Sequence, residues 1–282
     1  MFSLHAGMPT GGALVQSAAT MNGPSPVLIE LPDRLVGPRV VVRPYDEADA
    51  PSLWEAVDGS RSHLAPWMPW VGAYHAPNDA LAFVRQFRAK WLTREDLIVG
   101  IFELASGHLL GGSGLHRIDW QIRRFEIGYW LRQSAEGHGY VAEAVQLLIR
   151  LAFEDLVANR VEIRTDVRNL RGRAVPERLG FQLEGCMRRF LPDSDGQPCD
   201  ILVFSMLREE FATVDWSMAG PPTGPVPTGQ DEAGGGQCPA ASGRMRSYSA
   251  ARSVAKRSQH RPASEKPCKS STGGPERRPR RA

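Results

Sequence analysis

At 282 residues the chain has room for one large domain or two small ones. Its 42% hydrophobic and 23% charged residues are the balance of a globular protein, not of a fibre. The formal charge of +3 conceals a division: residues 213–282 hold 12 Lys/Arg against 5 Asp/Glu, net +7, and residues 1–212 hold 22 against 26, net −4. No stretch approaches the roughly 18–20 apolar residues of a membrane span, and the first residues lack a charged, apolar signal pattern. The expected location is cytoplasmic, without a membrane partner. Cys186, Cys199, Cys238 and Cys268 have neither CxxC spacing nor histidine partners, so no metal is expected. A Cys186–Cys199 disulfide across a hairpin stays open at this point.

Residues 1–33 read as a disordered leader rich in small residues, and structure is expected from about Arg34. Arg39–Pro44 is β-branched and alternating, hence a first strand ended by its proline. Asp46-Glu47-Ala48-Asp49 opens a helix through Leu53, Trp54 and Val57, with carboxylates suited to the dipole. A short helical stretch then carries Leu64-Ala65-Pro66-Trp67-Met68-Pro69-Trp70. It is either a lid over the core or one wall of a substrate pocket. Asn78-Asp79 can cap a third helix with Ala82, Phe83, Phe87 and Trp91 as its apolar stripe.

From Asp96 the period becomes two. Residues 97–104, 109–118 and 125–131 predict three strands of an antiparallel meander. Gly111, Gly112 and Gly114 thin the middle strand, which marks a bulge or a close neighbour. Gly137-His138-Gly139 then opens a strongly amphipathic helix with Val141, Ala144, Val145, Leu148, Leu151, Ala152 and Leu156 on one face. Glycines before a helix N-terminus present unpaired backbone N–H groups and partial positive charge to one point, which suits a phosphate.

Residues 160–167 alternate as a strand, and 169–181 form a short helix that Pro176 should delay or kink. Two closing strands, 182–190 and 201–207, form a hairpin around a turn-rich Pro192–Pro198. Residues 213–282 are Pro-, Gly-, Ser- and Arg-rich without apolar clusters and read as a disordered basic tail. Such a tail can touch nucleic acid or ribosomes weakly and without specificity.

The strand–glycine–helix–strand segment is the only crossover expected, and all else is antiparallel. The fold class is α/β in the layered α+β sense: a mixed, mostly antiparallel sheet of about seven strands with flanking helices. GxGxxG and GxxxxGK[ST] are absent, which argues against dinucleotide and P-loop sites.

Glu126-Ile127-Gly128-Tyr129-Trp130-Leu131, Gly137-His138-Gly139-Tyr140, Glu143-Ala144, Asn169 and Glu177-Arg178-Leu179-Gly180-Phe181 resemble the GNAT acetyltransferase superfamily. Together with the lid segment and Asp200–Leu207, they are most similar to its RimJ/RimL-type branch, over residues 34–212. The resemblance implies an acyl-CoA N-acyltransferase fold. It further implies transfer of an acetyl group from acetyl-CoA to a primary amine, either a protein N-terminus such as that of a ribosomal protein or a small molecule. Leu131, Arg132 and Gln133 would hold the acetyl and pantetheine end. Gly137, His138, Gly139, Tyr140 and Val141 would cradle the pyrophosphate, and Asn169 would meet the pantetheine.

The sequence departs from the family pattern at Glu136, where Gln or Arg is usual, at Val141 for Gly or Ala, and at Gly172 for Ser. Arg173 and Arg178 are the residues expected to compensate Glu136. The tyrosine that often protonates the departing thiolate is replaced by Pro176 at one common position and Phe204 at another. Glu126 is the candidate base, ahead of Glu162, Asp166 and Asp200; His63 and His116 can titrate near neutrality but read as structural. Trp67, Trp70 and Tyr129 would line the acceptor pocket. The alternative is a non-catalytic acyl-CoA-binding module whose tail docks on RNA or ribosomes; the expected state is monomer or homodimer.

Overall fold

The computed structural model of the chain describes residues 25–214 and residue 216. The expectations for the first 24 residues and for the tail beyond residue 216 fall outside the described residues. Within the segment read as leader, Ile29 and Leu31 pack against the core, and Arg94 Nη2 donates to the Ile29 carbonyl at 2.8 Å.

β1 (Leu35–Val36), β2 (Val40–Arg43), β3 (Leu97–Glu103), β4 (Leu109–Asp119), β5 (Arg124–Leu131), β6 (Arg160–Asp166), β7 (Gln182–Pro192) and β8 (Pro198–Leu207) form one sheet, in the order β1-β2-β3-β4-β5-β6-β8-β7. The eighth strand beyond the expected seven is the two-residue β1. The meander is as expected, and β5–β6 is the parallel pair. The expectation of a single crossover needs correction. β7 lies outside β8, so the β6-to-β7 connection also steps over a strand position, which β8 then fills. The hairpin also holds Cys186 opposite Leu202 and Leu191 opposite Cys199, and Cys199 is a free buried thiol. No Cys186–Cys199 disulfide forms.

The helices are α1 (Ala50–Asp58), α2 (Arg61–Leu64), α3 (Pro77–Thr93), α4 (Tyr140–Arg150), α5 (Leu170–Arg178) and α6 (Arg208–Phe211). One core cluster joins α4 to the sheet through Val145, Leu148, Ile149, Phe125, Ile127 and Phe204. The other joins α1 and α3 to it through Leu53, Val57, Ala80, Val84 and Phe102. α4 continues into a π-helical turn, Leu151–Asp155, that buries Leu151, Ala152 and Phe153. In α3 the buried stripe is Ala80 and Val84 flanked by Phe83 and Phe87, while Ala82 is exposed. Pro77 holds the first helical position, and the Asp79 carboxylate accepts from the N–H groups of His75 and Ala76, both at 2.8 Å.

α5 neither starts late nor stops at Pro176. The Asn169 side chain caps it by accepting from Gly172 N at 2.8 Å. Pro176 supplies no N–H for the Gly172 carbonyl four residues back, and that carbonyl instead accepts from the Tyr129 hydroxyl at 2.7 Å. The proline therefore leaves a helix acceptor open, which a strand residue fills.

Candidate active site

The site begins where a ladder ends. β5 and β6 pair only at Arg124–Arg160, Phe125–Val161 and Glu126–Glu162. Beyond Glu126, β5 stays paired with β4 as far as Leu131, and β6 stays paired with β8 as far as Asp166. The facing edges diverge and leave strand N–H and C=O groups without a partner strand. Two cavities meet at this notch, and Tyr129, Trp130, Asn169, Gly172 and the lid residues Pro66, Trp67 and Met68 line both.

The first cavity, about 670 Å³, runs between α4, α5 and the lid. Gly137 and Gly139 both have φ of 78°, and Gly139 is the left-handed residue preceding α4. No side chain caps α4, so its first N–H groups face the cavity edge formed by Gly139, Tyr140, Val141 and Ala142. Glu143 clamps the helix to the start of β2. Its Oε1 accepts from the N–H groups of Arg39 at 2.7 Å and Val40 at 3.1 Å, and its Oε2 pairs with Arg39 Nε at 2.9 Å. A Cβ on Gly37 would stand 2.7 Å from that Oε1, so the glycine makes room for the clamp.

Glu136 is not left facing the cradle alone. Its Oε2 accepts from Arg171 Nη1 at 2.6 Å and its Oε1 stands 2.9 Å from His63 Nε2. The compensating cation is thus Arg171, in the first turn of α5. Arg173 pairs with Glu177 at 2.7 Å and does not line the cavity, whereas Arg178 does. Gly172, where the family has Ser, has no space for a side chain: a Cβ would lie 2.8 Å from Thr165 Oγ1 and 2.9 Å from the Asn169 amide.

Of the other expected residues, Leu131, Gly137, Gly139, Tyr140, Val141, Asn169, Tyr129 and Trp67 line the first cavity. Arg132, Gln133 and His138 do not. Arg132 is held by Glu55 at 2.8 Å and by His108, and Gln133 N donates to Ser60 Oγ at 3.0 Å. The His138 ring stacks on Tyr140, and its carbonyl accepts from Arg39 Nη1 at 2.8 Å.

The second cavity, about 590 Å³, lies on the α1/α3 side of the sheet. Trp70 stacks edge-on against Trp130 and Tyr74 with centroids 5.7 and 5.6 Å apart, giving an aromatic wall. Glu126 opens onto this cavity while only 8% exposed. Arg117 donates to its Oε1, and Arg164 Nε stands 3.2 Å from its Oε2. The second approach lacks hydrogen-bond geometry, so Oε2 is a buried carboxylate oxygen that accepts no hydrogen bond. Burial pushes the Glu126 carboxyl above the ordinary glutamate range, against the pull of Arg117 and Arg164.

Glu162 behaves oppositely. Burial works to raise it, but bonds from Arg160 Nε at 2.7 Å and Arg164 Nη2 at 3.0 Å win and hold it low. Glu162 does not line the cavity, and Asp166, which does, is engaged by Arg168 at 2.7 Å. Asp200 is outside the lining and accepts from Arg189 N at 2.8 Å. Burial also drives the Tyr129 phenol upward, so it stays protonated. It pushes the Cys199 thiol up to about 11, which leaves this lining residue a poor nucleophile.

Residues 39–182 match the family model described as Acetyltransferase (GNAT) domain. Over 182 residues, 62% of this chain and 95% of the relative, the sequence is 32% identical to a protein of Bacillus subtilis (strain 168) named "Putative ribosomal N-acetyltransferase YdaF". A solved structure described as a probable acetyltransferase superposes with a TM-score of 0.59 at 30% identity, covering 63% of this chain and 98% of that one. RimL, a ribosomal L7/L12 alpha-N-protein acetyltransferase solved with coenzyme A, shares the fold. Its TM-score is 0.58 at 22% identity, over 61% of this chain and 96% of its own.

Proposed function

This chain belongs to the acetyltransferase (GNAT) family and is an N-acetyltransferase, and we propose that it moves an acetyl group from acetyl-CoA to the α-amine of a protein N-terminus. The observation that carries the donor assignment is the notch. Unpaired strand edges beyond Glu126–Glu162 suit the amides of a pantetheine, and the uncapped α4 N-terminus behind Gly137 and Gly139 suits a pyrophosphate. The acceptor enters from the second cavity and meets the thioester at Tyr129 and Trp130, two of the residues that line both cavities. A ribosomal protein is the favoured acceptor, supported by the name of the Bacillus subtilis relative, and the cytoplasm is the corresponding location.

The amine attacks the thioester carbonyl, the C–N bond forms, and the C–S bond breaks to release the thiol. Holding both reactants across one notch supplies orientation, and backbone N–H groups polarise the carbonyl. Glu126 accepts the proton that the nitrogen loses after attack; its burial and raised basicity support that role. The reading as a non-catalytic module rests on Glu136, Gly172 and the basic tail, of which the tail lies outside the described residues. Arg171 neutralises the first, and packing by Thr165 and Asn169 explains the second.

The test is thiol release from acetyl-CoA with ribosomal-protein N-terminal peptides, an aminoglycoside and a polyamine as acceptors. Turnover with the peptides, and a fall of about 10²-fold for Glu126→Gln, is expected. Coenzyme A binding without turnover on any acceptor would sink the proposal, and wild-type rates in Glu126→Gln would remove that residue from it.

A further inference from the structure

His116 and Asp96 form a hydrogen-bonded pair in the second cavity. His116 Nδ1 lies 2.7 Å from Asp96 Oδ1, and both residues line the cavity that Glu126 opens onto. With Asp96 accepting from Nδ1–H, Nε2 carries the free lone pair. The ring lies over two glycines that face each other across β4 and β5. A Cβ at Gly114 would stand 3.1 Å from Nε2, and one at Gly128 would stand 3.3 Å from it. The glycines therefore clear a flat berth that carries Nε2 along the sheet from Asp96 toward Gly128 on the donor strand. At Gly114 the Leu97 carbonyl oxygen, 2.8 Å from where a Cβ would stand, also keeps the position bare.

Resting on the proposed acetyl transfer, we propose that His116, oriented by Asp96, takes the first of the two protons the acceptor must lose. An α-amine reaches the site as an ammonium, which has no lone pair to attack with. His116 Nε2 accepts one proton from it, giving the neutral amine and an imidazolium that Asp96 stabilises, and the imidazolium later passes that proton to water. The amine then forms the C–N bond, its second proton goes to Glu126, and the thiolate freed from the C–S bond takes that proton from Glu126. One proton leaves to solvent and one ends on sulfur, which balances an ammonium and a thioester against an amide, a thiol and H⁺.

The charged groups around the imidazole are few. Asp96 faces Nδ1, Lys90 from α3 reaches Asp96 at 3.9 Å, and Glu126 lies opposite on β5 with Arg117 and Arg164 on its carboxylate.

The experiment is kcat/KM against pH, between about pH 5.5 and 9 where imidazoles and α-amines titrate, for the full chain, His116→Gln and Asp96→Asn. Acetyl-CoA affinity is measured alongside by calorimetry. His116→Gln is expected to lose roughly 10²-fold near neutrality, to recover as pH rises and the amine deprotonates itself, and to bind acetyl-CoA as before. Asp96→Asn is expected to lose roughly 10-fold near neutrality, because the ring loses the carboxylate that orients Nε2. An unaltered pH profile in His116→Gln overturns the pair's role, as does a pH-independent loss accompanied by weaker acetyl-CoA binding. If wild type turns over and His116→Gln matches it, the pair alone falls; if wild type acetylates no amine, the proposed function falls with it.

Discussion

Glu126 and Glu162 face each other as the last rung of the β5–β6 ladder, both almost buried, yet their acidities diverge. The divergence is one of partners. Glu162 has two arginines in hydrogen-bond geometry, whereas one oxygen of Glu126 has none. A carboxyl held below its unfolded value stabilises the fold above that value, and the contribution disappears as pH falls through the folded one. Glu162→Gln is therefore expected to cost about 2 kcal/mol at pH 7 and to lose less stability than wild type on acidification below about pH 4.5. Urea unfolding at several pH values reads this directly; parallel curves for both proteins would count against the assignment. The sequence identified Glu126 by its place on a strand, and the alternation of β6 sets Arg160 and Arg164 on the same face as Glu162, but the sequence could not show that both close to hydrogen-bond distance. Nor could it show that the histidine two residues beyond Gly114 fills the space that glycine leaves.

α4 was the most legible element, because its apolar face repeats at helical spacing and its start is marked by glycines. Leu148 is at its centre, 1% exposed against the sheet. Leu148→Ala is expected to destabilise the protein by about 2–5 kcal/mol, measurable by thermal or denaturant unfolding. The ends of elements were less legible. Arg171 escaped notice because its partner Glu136 lies 35 residues earlier, and only the packing of α5 beside the α4 entry brings them together. Glu136 links α2, through His63, to α5, through Arg171, directly beside Gly137 and the α4 N-terminus. It thus occupies Arg171, a cation that an arriving pyrophosphate could also use. Glu136→Gln is expected to tighten coenzyme A binding by about 3–10-fold at low salt, the worth of one nearby charge, with the gain shrinking as salt screens it. Calorimetry at two ionic strengths checks this, and weaker binding would show the carboxylate to be a needed spacer.

For the whole molecule, strand order was legible as far as β6, where each strand follows its neighbour in sequence. It failed at β7 and β8, because a hairpin's alternation does not say which of its strands joins the sheet. Binding at the notch stabilises the folded state in proportion to ligand concentration. A hundredfold excess of coenzyme A over its Kd is expected to add about 2.7 kcal/mol and a matching rise in Tm, and a Tm indifferent to coenzyme A would place the cofactor elsewhere.

The three-pair joint between β5 and β6 also bears on the tempo of turnover. The sheet is an arch with its keystone missing, and the pantetheine of the proposed donor would be that keystone. Under the proposed function the acetyl group adds no rung, so free coenzyme A is expected to grip both edges as firmly as the donor does. Each cycle is then expected to end with a spent keystone in place, and its release to set the speed of turnover.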